Sequence, residues 1–286
     1  MSVSETSSGP PWYGVDDALL RRFEIHETHV HARGAGRRVI DLGDALGLFD
    51  SVDPDPFYNR VGAIRWPADP VAFDARVDAA LELFQAERRD PCLWLSPVAG
   101  SGGALVDRLT ARGFIEVGHG ALVMVLTRDP RAEPGPPLAP GTSLERLTAA
   151  VPDGGVAGAR AAAAIVAESF GVDRGRRAVL EDEILAGLAD PSVDMRLVRL
   201  DGEPVAVGRR HDRDDLGYLS AIGVSAAYQG RGFGEAVTRA LVGAALDGGR
   251  RWVYLGVYSD NRRAQALYER IGFATLAGPA LELVLP

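Results

Sequence analysis

The chain has 286 residues, enough for two domains of ordinary size, and its 47% hydrophobic and 24% charged residues are typical of a globular protein. The formal net charge of −8 argues against general nucleic-acid binding, for which a basic face is expected. A single cysteine, Cys92, cannot form an internal disulfide, which favours a reducing cytoplasm. We expect no signal peptide and no membrane-spanning segment, because no basic leader precedes an apolar core and no apolar run is long enough.

The first half of the chain is predicted to mix helices and strands. Residues 1–11 are polar and are predicted to be disordered. A short helix over residues 15–22 and a strand over residues 24–32 follow, with a further strand over residues 61–66. Residues 71–88 carry apolar side chains at helical spacing, which predicts an amphipathic helix.

Three histidines fall within the first predicted strand: His26, His29 and His31. On a strand, His29 and His31 would share one face and His26 would point to the other. No cysteine lies nearby, so half-exposed strand histidines are the favoured interpretation and a metal site is the alternative.

A proline-rich stretch separates the two halves. Residues 128–141 contain five prolines and no apolar periodicity, which is typical of a semi-rigid linker. We therefore divide the chain into a first domain at residues 1–127, the linker at residues 128–141, and a second domain at residues 142–286.

The second half is predicted to begin with a strand, two helices and a β-hairpin before another apolar strand. These elements cover residues 143–147, 156–170, 176–188, 195–200 with 205–211, and 219–224.

A glycine-rich turn follows the strand at residues 219–224. Gly230, Gly232 and Gly234 lie between that strand and a predicted helix over residues 235–246. Glycine lets a ligand approach the backbone closely, and a helix start supplies unpaired N–H groups with a partial positive charge. The turn therefore suits an anion such as phosphate, with a bare tight turn as the alternative.

Two common phosphate-binding loops are excluded by the residues present. A nucleoside triphosphate loop needs a Gly-Lys-Ser/Thr ending, and the chain contains no lysine. A dinucleotide fold needs G-x-G-x-x-G after the first strand of a βαβ unit, and the glycines here are spaced differently and lie late in the chain.

Two motifs in sequence resemble the GCN5-related N-acetyltransferase (GNAT) superfamily. The first is Gln229-x-x-Gly232-x-Gly234, similar to the family's Q/R-x-x-G-x-G/A signature. The second runs from Asn261 to Phe273 and is similar to the family's later motif at the expected distance. The resemblance covers about residues 140–286 and implies a mixed α/β (α+β) fold, with a mostly antiparallel sheet flanked by helices.

The resemblance also implies how acetyl-coenzyme A is held, with no metal. In the family, amides of the glycine loop bind the pyrophosphate, and the backbone of the preceding strand pairs with the pantetheine arm. The residues assigned to the co-substrate in this way are Ile222, Gly223, Val224, Gln229, Gly230, Arg231, Gly232, Phe233, Gly234, Glu235, Asn261, Ala264 and Tyr268.

An internal repeat appears when the sequence is displaced by 159 residues. The matched segments are 93–98 with 252–257, 113–114 with 272–273, and 121–126 with 280–285. Leu109 stands in the place of Tyr268, and residues 70–75 replace the glycine loop. We therefore predict two tandem GNAT-like domains of which the first is a degenerate copy that serves as a structural wall, with chance similarity as the alternative.

The chemistry of acetyl transfer asks for a proton donor and a proton acceptor. An alkyl ammonium with a pKa of about 10.4 must lose a proton before it attacks a thioester, and the departing thiolate benefits from a donor. Tyr268 is the candidate donor by its match to the family's tyrosine, or an aromatic packing residue. Asn261 would bind the co-substrate arm or cap its helix. No base is evident: the strand offers Tyr218 and Ser220, and the weak candidates elsewhere are His211, residues 212–215 and Glu168.

The sequence thus predicts a cytoplasmic, bacterial N-acetyltransferase that acts on a primary amine of a small acceptor. The alternatives are a binding module that senses acyl-CoA without turnover, and a transferase of longer acyl groups. No nucleic-acid or membrane partner is expected. Monomer and homodimer both stay open, as does a contribution of the first half to the acceptor pocket.

Overall fold

The computed structural model describes residues 16–96, 102–133, 135–153, 155–276 and 280–286. These residues form two β-sheets flanked by helices, so the predicted mixed α/β class is confirmed. The helices are α1 Asp17–His31, α2 Pro70–Glu87, α3 Gly102–Ala111, α4 Val156–Phe170, α5 Arg177–Gly187, α6 Phe233–Asp247 and α7 Arg262–Ile271. The strands are β1 Arg37–Asp41, β2 Leu46–Asp50, β3 Arg60–Gly62, β4 Cys92–Leu95, β5 Ile115–His119, β6 Ala121–Leu126, β7 Thr142–Leu147, β8 Val193–Leu200, β9 Glu203–Arg213, β10 Leu216–Val224, β11 Trp252–Tyr258, β12 Phe273–Thr275 and β13 Leu281–Val284.

The predicted strand over residues 24–32 was wrong, because these residues belong to helix α1. Asp16 begins the helix by accepting a hydrogen bond from the Leu19 N–H at 2.8 Å. Leu20, Phe23 and Val30 are buried along its inner face, so the apolar period is helical and continues from the short helix predicted before it. The three histidines therefore follow helical geometry, and His29 and His31 do not share a face as predicted for a strand.

The two halves exchange their last strands. The first sheet has the order β1-β2-β3-β4-β13-β5, and the second has the order β12-β6-β11-β10-β9-β8-β7. Strand β13, from the end of the chain, pairs antiparallel with β4 and β5. Strand β6, from the first half, pairs antiparallel with β11 and β12. The last pair of matching segments in the internal repeat, residues 121–126 and 280–285, thus occupies equivalent places, each in the other half's sheet.

Each exchanged strand contributes side chains to the core of the other half's sheet. Met124 of β6 packs in the second sheet's core with Leu255 and Phe273, while Leu283 of β13 packs in the first sheet's core with Leu93 and Phe114. Strands can pair in a sheet whatever their order along the chain. Each sheet therefore contains one strand from the other side of the predicted linker at residues 128–141. That division remains a prediction for where the chain passes from one half to the other.

Helix α1 also connects the halves. Its Phe23 ring stacks on Tyr254 of β11 with centroids 4.2 Å apart, and the Tyr254 hydroxyl donates to the Phe23 carbonyl at 3.1 Å. Together with Leu19, Leu20 and other side chains they form one core cluster. A helix from the first half therefore covers the second sheet and brings its C-terminal end to the site described below.

Candidate active site

An opening in the second sheet lies between β10 and β11. The two strands pair in parallel only from Leu216 to Leu219, where Leu219 lies opposite Leu255. The register of β10 against β9 then shifts between Ser220 and Gly223, and Ala221 takes a left-handed backbone conformation with φ of 51°. Beyond this bulge the strands part, and among the described residues the edge of β10 over the predicted residues Ile222, Gly223 and Val224 has no strand partner on that side.

The glycine loop stands at the start of helix α6. Gly230 and Gly232 have φ angles of 79° and 85°, which side chains adopt only with strain. Gly232 is the N-cap residue, and no side chain caps the helix. A Cβ atom on Gly234 would lie 3.2 Å from the Val224 Cγ2 atom, so this position has little room for a side chain. The loop therefore offers main-chain N–H groups and a helix dipole to an anion.

The side chains of the loop are held by the protein itself. The Arg263 guanidinium donates to the Gln229 amide oxygen at 2.9 Å, and the Phe233 ring is buried with 1% exposure. Glu235 forms an ion pair with Arg239 at 2.8 Å. The predicted contacts of Phe233 and Glu235 with the co-substrate therefore concern their main-chain N–H groups.

Helix α7 and its N-cap residue supply three of the predicted residues, which are Asn261, Ala264 and Tyr268. The Asn261 side chain accepts a hydrogen bond from the Ala264 N–H at 3.1 Å. It therefore caps the helix, which is one of its two predicted roles. Tyr268 lies about two helical turns after Asn261 and is buried. Burial raises the pKa of Tyr268 to about 12, so the phenol keeps its proton at neutral pH.

A cavity of about 550 Å³ connects the opening to the first half of the chain. Part of its wall is formed by residues of β10, β11 and α7, among them Ile222, Asn261 and Tyr268. Another part comes from the first half and includes His31 and Tyr58. Residues of α4 and α5 complete the wall. None of the described residues from 229 to 235 lines this cavity, so the loop lies outside it.

His31 is the site residue that the sequence interpretation missed. Its Nε2 atom lies 3.5 Å from a carboxylate oxygen of Glu27, one helical turn earlier on α1. Burial lowers the pKa of His31 although Glu27 opposes this effect. Burial alone would raise the pKa of Glu27, but His31 and the charge of Arg60 outweigh it and hold the pKa below its usual value. The pair is thus a neutral imidazole beside a carboxylate.

His211 and the carboxylates considered from sequence have different surroundings. His211 lines the cavity, and burial holds its pKa well below the usual value. Glu168 accepts a hydrogen bond from the Ala226 N–H at 3.1 Å, Asp212 pairs with Arg210 at 2.8 Å, and Asp215 pairs with Arg22. These three carboxylates make structural contacts and do not line the cavity.

The described part of the chain contains neither a metal-binding cluster nor a membrane-spanning helix. Its histidine, cysteine and acidic side chains form no group of three or more that could hold a metal ion. None of the helices there is long and apolar enough to cross a membrane.

Similar sequences match only part of the chain. The acetyltransferase (GNAT) family model matches residues 162–273. Mycothiol acetyltransferase from Nocardiopsis dassonvillei is 41% identical over 63 residues, which are 22% of this chain and 19% of that protein. N-alpha-acetyltransferase RimI from Mycobacterium tuberculosis is 50% identical over 55 residues, which are 19% of this chain and 33% of that protein. The chain thus aligns with only a fifth to a third of the length of these curated relatives.

Similar solved structures extend over nearly the whole chain. A GCN5-related N-acetyltransferase from Kribbella flavida has a TM-score of 0.66 at 20% identity and covers 93% of this chain and 95% of that chain. A tandem GNAT protein from the clavulanic acid biosynthesis pathway has a TM-score of 0.64 at 14% identity and covers 88% of this chain and 83% of that chain. The chain therefore has the fold of tandem GNAT proteins, and its residues 162–273 match the GNAT acetyltransferase family model.

Proposed function

We propose that this protein is an N-acetyltransferase that moves the acetyl group of acetyl-CoA to a primary amine of a small-molecule acceptor. The observation that supports it most is the opening between β10 and β11, which begins beside Leu219 and has the Tyr268 phenol in its wall. An extended thioester arm needs such an unpaired strand edge, and acetyl transfer needs such a proton donor.

The protein's own groups fit the co-substrate at both ends. The main-chain N–H groups of residues 230–235 suit a pyrophosphate, because the positive-φ glycines expose them and no side chain caps the helix. Arg263 stands beside this loop and adds positive charge. The unpaired edge of β10 over Ile222 and Val224 suits the amides of the pantetheine arm. When bound, acetyl-CoA supplies the activated acetyl thioester.

Two side chains of the cavity can move the protons. His31 is neutral at pH 7 because burial lowers its pKa, so it can take a proton from the acceptor's ammonium group, which then attacks the thioester as the neutral amine. Tyr268 keeps its proton and can donate it to the departing sulfur. The nitrogen loses its second proton as the new C–N bond replaces the C–S bond, and this proton restores the one that Tyr268 gives to the sulfur, so that one proton, held by His31, is released overall. Glu27 stabilises the imidazolium that forms.

The first half completes the acceptor side of the cavity. Val30, His31, Phe57 and Tyr58 all line it, and all come before residue 60. The first half therefore acts as more than a structural wall in this proposal. The acceptor meets side chains of both halves, and the single buried cysteine is in keeping with a cytoplasmic location.

Titration with acetyl-CoA by calorimetry tests the co-substrate site. We expect one site per chain, because only the second half has the glycine loop. Gly232→Val should abolish binding, since a side chain at φ of 85° distorts the cradle. Gly202→Val is the matched control, because Gly202 has a φ of 86° in a hairpin turn with open space around it. Equal binding by both variants would contradict the proposed cradle.

Release of free thiol in the presence of a panel of amines tests turnover. Acetylation of any amine that Tyr268→Phe slows, while acetyl-CoA still binds, would support the enzyme. Stoichiometric acetyl-CoA binding without acetylation of any amine would favour the binding module. Faster turnover with propionyl-CoA or longer donors would favour transfer of a longer acyl group.

A further inference from the structure

One guanidinium of the cavity forms no ion pair with any residue that the structure describes. Arg209 lies on β9, opposite Ser220 of β10, and lines the cavity. Its Nε atom donates to the Ser220 hydroxyl at 3.2 Å. Within the described residues no carboxylate lies within ion-pair distance of Arg209, and its two terminal amino groups have no hydrogen-bond partner.

The other arginines of the same cavity are paired. Arg33 pairs with Asp190. Arg37 pairs with Glu183 at 3.0 Å and with Asp50 at 2.9 Å. Glu183 is the carboxylate whose charge acts most on Arg209, and it is already engaged.

Leaving a cation unpaired in such surroundings is costly. Arg209 is half-buried in the cavity wall, and this burial lowers the pKa of its guanidinium. Buried charges in proteins are usually paired, because the desolvation penalty is otherwise uncompensated. A guanidinium nevertheless keeps its proton under ordinary conditions. Arg209 therefore holds a positive charge that a ligand can neutralise.

We propose that Arg209 binds a carboxylate of the acceptor, so that the acceptor is an apolar amino acid or a closely related amine that carries a carboxylate. This inference rests on the proposed acetyltransferase function. A single free guanidinium matches a monoanion, and its planar fork matches a carboxylate.

The position of Arg209 also limits the distance between the two groups of the acceptor. Its partner Ser220 is the first residue of β10 after pairing with β11 ends at Leu219. The guanidinium therefore lies beside the opening through which the thioester is presented. A carboxylate held there lies near the reacting amine, as it does in an α-amino acid.

Other parts of the cavity wall suit an apolar body. Phe170, Leu180, Ile184 and Met195 line the cavity and come from α4, α5 and β8, and Met195 lies opposite Arg209 in the β8–β9 pair. An acceptor that consists only of charged or hydroxyl groups would leave these side chains in contact with polar atoms. An acceptor with a hydrophobic side chain beside its amine and carboxylate would bury apolar surface against these residues, which is favourable.

Binding of two product analogues tests the inference without relying on turnover. N-acetylphenylalanine and N-acetylphenylalaninamide differ only in the carboxylate, and each is titrated by calorimetry into the full-length protein in the presence of CoA. We expect the carboxylate to bind about tenfold to a hundredfold more tightly, the range of a charge-assisted hydrogen bond. Equal affinities, or no binding of either at millimolar concentration, would overturn the inference.

Variants assign the preference to the guanidinium. Arg209→Met should remove the difference between the two analogues by weakening only the carboxylate, and Ser220→Ala, which keeps the charge, should retain most of it. A full preference in Arg209→Met would overturn the role of Arg209. The comparison in the unaltered protein decides the acceptor class even if Arg209→Met fails to fold.

Turnover separates this inference from the proposed function. If phenylalanine and phenylalaninamide are acetylated with equal kcat/KM, the protein is an acetyltransferase and the carboxylate site is refuted. If neither acetyl-CoA binding nor acetylation of any amine is found, the proposed function fails independently of the analogue titrations.

Discussion

Replacing Leu283 with alanine perturbs one half through a residue that belongs to the other. Leu283 lies on β13 at the end of the chain, yet its side chain is 1% exposed in the core of the first sheet. Strands β5 and β6 are separated by Gly120 alone but lie in different sheets, and the Gly120 N–H donates to the Ala280 carbonyl at 2.8 Å. Neither sheet can therefore open without pulling a strand out of the other.

The expected loss of stability follows from the cavity that the substitution leaves. Fully buried Leu→Ala substitutions cost about 2–5 kcal/mol, because contacts are lost and the surroundings relax only partly. We take a loss of about 3 kcal/mol in the free energy of unfolding. Because each kcal/mol lowers Tm by about 2–4 °C in chains of comparable size, Tm should fall by roughly 6–12 °C. Val117→Ala is the matched control, because Val117 lies on the neighbouring strand β5 with 51% exposure. It should change the stability by less than about 0.5 kcal/mol.

Hydrogen exchange at increasing urea concentration measures both sheets in one experiment. Amides of β2 and β4 report on the first sheet, and amides of β10 and β11 report on the second. We expect Leu283→Ala to lower the free energy of opening in both sheets by the same amount. Loss of protection in the first sheet while β10 and β11 keep theirs would refute the mutual dependence of the two halves.

Three further predictions concern single side chains. Tyr268→Phe should lower kcat by about a hundredfold or more while acetyl-CoA affinity is kept, since only the proton donor is lost; an unchanged kcat would remove Tyr268 from that role. The kcat/KM of the unaltered protein should fall as pH drops through the His31 pKa, which burial places below the usual value, and a surviving acid limb in His31→Gln would contradict the proposed base. Burial lowers the pKa of His26 to about 4, whereas the unfolded chain binds that proton near 6.5. The unfolded state is therefore favoured as pH falls from about 6.5 to about 4, at a cost of up to roughly 3 kcal/mol. Urea unfolding at several pH values should show His26→Gln losing less stability over this window, and identical losses would contradict the assignment.

Local patterns determined most elements of the second half. The predicted helix over residues 156–170 is α4 with the same bounds, because the alanine-rich stretch has a continuous apolar face and ends at Gly171. Gly232 could be recognised because its spacing from Gln229 and Gly234 is fixed by the loop it forms. These features depend on neighbours in sequence, so the sequence alone contains them.

The first helix shows where local patterns were insufficient. Residues 24–32 read equally as a short strand or as part of a helix, since apolar and polar residues alternate over a few positions. Contact of Phe23 with Tyr254, far away in sequence, stabilises the helical form. Because residues 24–32 were predicted as a strand, His31 was not recognised as a site residue. Only the helical conformation places it in the wall of the cavity.

The sequence by itself determined the family motifs, the order of elements in the second half and the repeat between the halves. Only the tertiary structure decided that β6 and β13 exchange sheets and that His31 and Arg209 line one cavity. The physical reason is that period and composition specify which residues form a strand or face a core, but not which distant strand edge they pair with. That choice depends on the packing of the whole chain, and the acceptor side of the site depends on it as well.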